Sequence, residues 1–243
     1  MDALTVFVAA LVTALATGLG AIPFLFARRP GANWVGLASA LAAGLMVGAS
    51  LGLLYEGHRY GDGLTVLGAL VGGAFIWVSR HLIEHRRELH LGALRGADAR
   101  RALLIVGVMT LHSFTEGVGV GVSFGGAETL GILITIAIAV HNIPEGLAIS
   151  LVLVPRGASV RSAAGWSIFS SLPQPLMAVP AFLFVESFSG VLSLGLGFAA
   201  GAMLWLVGAE LVPDALETTR PRAVALTVAG AALAMLVFLL LLL

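Results

Sequence analysis

The chain has 243 residues, 59% hydrophobic and only 11% charged, with 13 basic residues balanced by 13 acidic ones. Soluble domains are nearer half apolar and a quarter charged, so a mean hydropathy of +1.03 describes a polytopic membrane protein. For such a protein a net charge of zero says little about soluble partners; no nucleic-acid partner is expected, and the absence of cysteine excludes disulfides and thiolate metal ligands.

About 20 apolar residues cross a bilayer core, and the chain divides into eight such spans, near 4–26, 34–54, 64–83, 102–124, 129–153, 162–185, 190–211 and 223–243. They form one membrane domain over 1–243. The first starts after Asp2 without a basic stretch and runs to Phe26, which suits a spanning helix better than a cleaved signal peptide. The second carries Met46, which reads first as core, with a thioether contact to a metal path as the alternative. Between the third and fourth spans a connection of about 84–101 holds His85 and His90, with His81 just before it. It is either a solvated continuation of the helix with i,i+4 charge pairs or a cytoplasmic loop that weakly holds released metal.

The fourth span contains Leu111-His112-Ser113-Phe114-Thr115-Glu116-Gly117, and the fifth contains Val140-His141-Asn142-Ile143-Pro144-Glu145-Gly146. In each, a histidine and a glutamate stand four apart, on the same face of a helix. Two facing helices would bring two imidazoles and two carboxylates together at membrane depth. Ionisable groups are costly there and mark ion or substrate pathways. Neutral imidazole with carboxylate oxygen suits Zn²⁺, Fe²⁺, Mn²⁺ and similar cations, whereas carboxylates alone would favour Mg²⁺ or Ca²⁺. Glu116 and Glu145 offset one divalent charge; if both bridge, two ions fit, with Ser113 and Asn142 as neutral oxygen donors. Pro144 lacks an N–H and leaves the Val140 carbonyl without its helical partner. Gly117 and Gly146 read as close-packing positions that let the fourth and fifth helices approach.

The sixth span holds Ser170-Ser171-Leu172-Pro173-Gln174-Pro175, which predicts a broken helix with Gln174 pointing into the bundle. Its amide either coordinates a metal or hydrogen-bonds freed carbonyls. Near the end of the seventh span, Glu210, followed by Asp214 and Glu217, is either an exit antechamber or a set of solvated carboxylates.

All 13 basic residues are arginine, and twelve lie in or beside the connections after the first, third, fifth and seventh spans; Arg59 alone lies on the other side. The positive-inside rule then places those connections in the cytoplasm and both termini outside the cell membrane. The two His-x-x-x-Glu-Gly motifs align at an offset of 29, and Ala43-Gly44-Leu45-Met46 echoes Ala200-Gly201-Ala202-Met203. Such echoes between antiparallel helices suggest an all-α bundle of inverted repeats, a recurrent transporter architecture. No P-loop is present to hydrolyse ATP.

At His112-Ser113-Phe114-Thr115-Glu116-Gly117 and His141-Asn142-Ile143-Pro144-Glu145-Gly146 the chain resembles the ZIP family of metal-ion transporters, in its bacterial branch. That resemblance implies a binuclear centre with ligands at His112, Glu116, His141, Asn142 and Glu145, and zinc uptake towards the cytoplasm, with Fe²⁺, Mn²⁺ and Cd²⁺ as related cargo. Ser113 stands where the family usually has asparagine, and Gln174 where it often has glutamate. The expected protein is a metal transporter without a prosthetic group, embedded in lipid and able to form a homodimer. An intramembrane zinc hydrolase lacks its His-Glu-x-x-His arrangement here, and a non-transporting metal sensor lacks a soluble signalling domain.

Overall fold

The structure, a computed structural model, describes residues 1–26, 31–84 and 96–242. Every regular element among the described residues is helical. Helix α1 (Ala3–Gly18) is capped by Asp2, whose carboxylate accepts from the Thr5 amide at 2.8 Å. Bonds from the Thr5 hydroxyl and amide hold that carboxyl below its usual range. The helix tightens into a 3₁₀ turn over Leu19–Leu25 that contains Pro23. Helices α2 (Ala32–Tyr60) and α3 (Asp62–Glu84) are joined by Gly61, whose φ of +151° is open only to glycine.

The connection expected at 84–101 falls partly outside the described residues, including His85 and His90. Its last six residues belong to α4 (Gly96–Gly126), which is followed by α5 (Glu128–Leu153). The sixth rod breaks at Leu172 into α6 (Val160–Ser171) and α7 (Pro173–Ser187) because Pro173 cannot donate to the preceding turn. The seventh runs further than the expected 190–211: α8 (Leu192–Leu206) passes through a π-helical turn over Val207–Leu211 into α9 (Val212–Thr218). Pro213 sits at the start of α9, where a proline is tolerated. It cannot donate to the Ala209 carbonyl four residues back, and that oxygen takes a long 3.5 Å bond from Arg80 on α3. Asp214 and Glu217 therefore lie on a helix instead of in a loop. Helix α10 (Pro221–Leu242) completes the chain.

Seven of these rods are long and apolar enough to cross a membrane among the described residues, and α4 is a further helix of 31 residues. The outer rods are apolar on their exposed sides as well, with Leu70 on α3 67% exposed and Leu226 on α10 75% exposed. Water would not tolerate such faces, and lipid does. The helices group by packing. Helices α1, α4, α5, α6 and α7 contact one another, as do α2, α3, α8, α9 and α10. The two groups meet where α4 lies on α8 and α5 on α2. Small side chains form the first of those seams, with Gly119 facing Ala199 and Gly195 facing Val122. Phe75 on α3 stacks on Phe114 of α4 at a 5.4 Å centroid distance.

Candidate metal centre

Helices α4 and α5 each present a histidine and a glutamate four residues apart to their shared interface. His112, Glu116 and His141 are fully buried and Glu145 is 3% exposed. One ligating atom from each of the four lies within 4.8 Å of the others. The Glu116 carboxylate sits between both imidazoles, its Oε1 lying 2.5 Å from His141 Nε2 and 3.2 Å from His112 Nε2. The 3.2 Å approach lacks hydrogen-bond geometry, so both His112 nitrogens are without a partner, as are His141 Nδ1, Asn142 Oδ1, Ser113 Oγ and both oxygens of Glu145. A buried polar atom left unpaired costs about 1–3 kcal/mol, and native interiors carry few of them. Here seven such atoms belong to the two motifs, and each of their residues has an atom able to ligate a cation, a neutral imidazole offering one of its two nitrogens.

An amide network steadies one side of this cluster. Gln174 on α7 is fully buried, and its Nε2 donates to Glu116 Oε2 at 2.5 Å. Its Oε1 accepts from the Thr13 hydroxyl and, at 3.2 Å, from Asn142 Nδ2. Asn142 Nδ2 also donates to the Thr13 carbonyl on α1 at 2.9 Å. The amide nitrogen of Asn142 is thereby engaged by α1 and α7, and its Oδ1 is left unbonded. Of the two readings of Gln174, capping of freed carbonyls is not what its polar side-chain atoms do: they bind side chains of three other helices, one of them the Glu116 carboxylate of the cluster.

The glycine that closes each motif explains how those partners come so near. A β-carbon on Gly117 would lie 2.5 Å from the Gln174 carbonyl oxygen and 2.8 Å from its Cα. One on Gly146 would strike the Thr17 carbonyl on α1. The expectation that these glycines bring the fourth and fifth helices together is thus corrected: each seats a third helix, α7 or α1. Beside them, Thr17 shares a 2.8 Å hydrogen bond with Ser171. Thr13 and Thr17 escape sequence reading because isolated threonines in an apolar span look like ordinary back-bonding residues, which Thr13 also is, donating to the Ala10 carbonyl at 2.7 Å.

The other expected residues lie elsewhere. Met46 is buried on α2 in the apolar core with Ala43, Ala200 and Met203. Glu210 lies on the π-helical turn and pairs with Arg80 at 2.8 Å, the guanidinium also standing 5.8 Å from the Trp205 ring centre.

Residues 78–242 match the sequence profile of a family described as ZIP zinc transporter. A protein of Arabidopsis thaliana, provisionally named a zinc transporter, is 50% identical over 91% of this chain, which spans only 36% of that protein's length. The zinc transporter GufA of Myxococcus xanthus is 36% identical over 85% of this chain and 87% of its own. The zinc transporter ZupT of Corynebacterium aurimucosum is 31% identical over 90% and 91% of the two chains.

Proposed function

This chain belongs to the ZIP zinc transporter family, and from that premise we propose that it carries Zn²⁺ across the cell membrane towards the cytoplasm through the α4–α5 cluster. The observation that carries this reading is the convergence of two imidazoles and two carboxylates within 4.8 Å, buried and with most ligating atoms unpaired. Two carboxylates neutralise a divalent ion, and imidazole selects borderline cations over Mg²⁺ and Ca²⁺. His112, Glu116, His141 and Glu145 are the ligands, Asn142 and Ser113 neutral oxygen donors to a second ion, and Gln174 a residue of the metal path that also holds Glu116 in place. Met46, in the apolar core beside α8, offers a thioether next to the path, and Glu210 receives the ion on the exit side, where Arg80 occupies its carboxylate in this conformation.

The cluster lies wholly within one helix group. Access alternates as that group rocks against α2, α3, α8 and α10. The glycines where α4 meets α8, Gly119 and Gly195, support it, since they put little side-chain bulk between the two helices. The orientation follows the arginines: both termini face outwards. Fe²⁺, Mn²⁺ and Cd²⁺ compete for the same donors, and a homodimer in the bilayer is the expected assembly.

Purified protein in liposomes loaded with a zinc-sensitive dye tests the reading. Time-resolved uptake should exceed that of protein-free vesicles for Zn²⁺, and Fe²⁺, Mn²⁺ and Cd²⁺ should each slow it. Uptake equal to the empty vesicles, with zinc binding intact, would leave a metal-binding protein that does not transport.

A further inference from the structure

An apolar cleft of about 440 Å³ lies at the seam between the two helix groups. One wall is Leu19, Gly20 and Pro23 of the 3₁₀ turn with Ile143, Pro144 and Leu147 of α5. The other is Trp34, Leu37, Ala38 and Leu41 of α2 with Thr227 of α10. Positions 34, 37, 38 and 41 are i, i+3, i+4 and i+7, one continuous stripe on α2. Helix α2 begins at Ala32, so the stripe runs from the first helical turn to roughly 10 Å deeper at 1.5 Å per residue. The cleft reaches Ile143 and Pro144, the residues between His141 and Glu145 on α5.

We propose that this cleft binds one acyl chain of a membrane lipid, and that the chain holds the two helix groups in the arrangement described here. Three features identify the occupant. The cleft opens sideways, since Leu19, Trp34, Leu37 and Leu41 are between 38% and 57% exposed on rods that span the membrane. Apart from the Trp34 indole N–H, Thr227 supplies the only polar side-chain group among its described walls, and a cavity lined by Leu and Ile stays dry and takes apolar guests. Its course from the start of α2 down to the level of the cluster suits a chain entering from the interface, with Trp34 at the mouth, where tryptophan anchors commonly lie. Because the walls belong to different groups, closing the seam must expel the chain, and a chain in place opposes closure. This second clause rests on the rocking motion proposed above; the binding clause does not.

The test uses the full chain in liposomes containing a phosphatidylcholine with a photoreactive diazirine near the end of one acyl chain. Crosslinks should concentrate on Leu41, Ile143 and Leu147, and excess unlabelled lipid should compete them away before it competes labelling at Leu233, a 63% exposed residue on α10. Ala38→Phe, which fills the cleft from the α2 side, should reduce labelling at Ile143 and Leu147 to the level of Leu233. Its ring, unlike a lipid chain, cannot leave the seam, so the same variant should lower the maximal zinc uptake rate several-fold while the zinc affinity of the cluster stays unchanged. Leu41→Ala, which widens the cleft, guards against a fold defect: it should keep the saturable labelling. Labelling at Ile143 that matches Leu233 in the unmodified chain and resists Ala38→Phe would overturn the site, leaving bulk lipid only. Labelling lost in Ala38→Phe with an unchanged uptake rate would overturn the control of the motion and keep the site.

Discussion

Replacing Gln174 by glutamate separates a metal-path residue from a purely structural one. In the wild-type structure Gln174 Nε2 donates to Glu116 Oε2 at 2.5 Å. The variant loses this bond to a charged group, worth about 1.5–3 kcal/mol, and sets two carboxylates against each other without metal. At a destabilisation of about 2 kcal/mol, the metal-free protein should melt roughly 4–8 °C lower, using the usual 2–4 °C per kcal/mol for a chain of this size. With Zn²⁺ the sign reverses. A third carboxylate about 5 Å from the ion, at an effective dielectric near 20, interacts by about 7 kcal/mol, of which proton competition and desolvation leave only part. Even a net gain of about 1.4 kcal/mol is tenfold in affinity. Calorimetric titration and melting curves with and without Zn²⁺ on one preparation read both effects, and liposome uptake should show a turnover that is level or lower, since a tightly held ion leaves slowly. A lower melting temperature at unchanged zinc affinity would refute the reasoning and reduce Gln174 to a brace for Glu116.

Glu145→Ala should abolish uptake, and Glu145→Gln should keep the melting temperature of the metal-free protein, because neither carboxylate oxygen has a partner to lose, while zinc affinity drops; unchanged affinity in both takes Glu145 out of the centre. Gly146→Ala should destabilise by about 1–3 kcal/mol through its collision with the Thr17 carbonyl, and a melting temperature equal to wild type would show that α1 can move aside freely. The chain has no cysteine, so single replacements report topology directly: Ala158→Cys should react with an impermeant maleimide only from the cytoplasmic face and Asp62→Cys only from outside, and the opposite pattern would invert the proposed orientation.

The two motifs are legible in the sequence because their periodicity needs no partner: residues four apart share a face in any helix, so spacing alone pairs His112 with Glu116 and His141 with Glu145. The same holds for the hydropathy of the rods and for the break at Pro173, since length and a missing N–H are local properties. Which helix each small residue admits is decided only by the tertiary structure. Gly117 and Gly146 look alike in the chain, yet one seats α7 and brings Gln174 to Glu116, while the other seats α1 and brings Thr13 and Thr17 alongside. Nor does the sequence show that Arg80 reaches Glu210 from a distant helix, or that a π turn ahead of Pro213 prolongs the seventh rod. These features depend on close packing between elements far apart in the chain, which is set by three-dimensional shape and leaves no periodic trace along it.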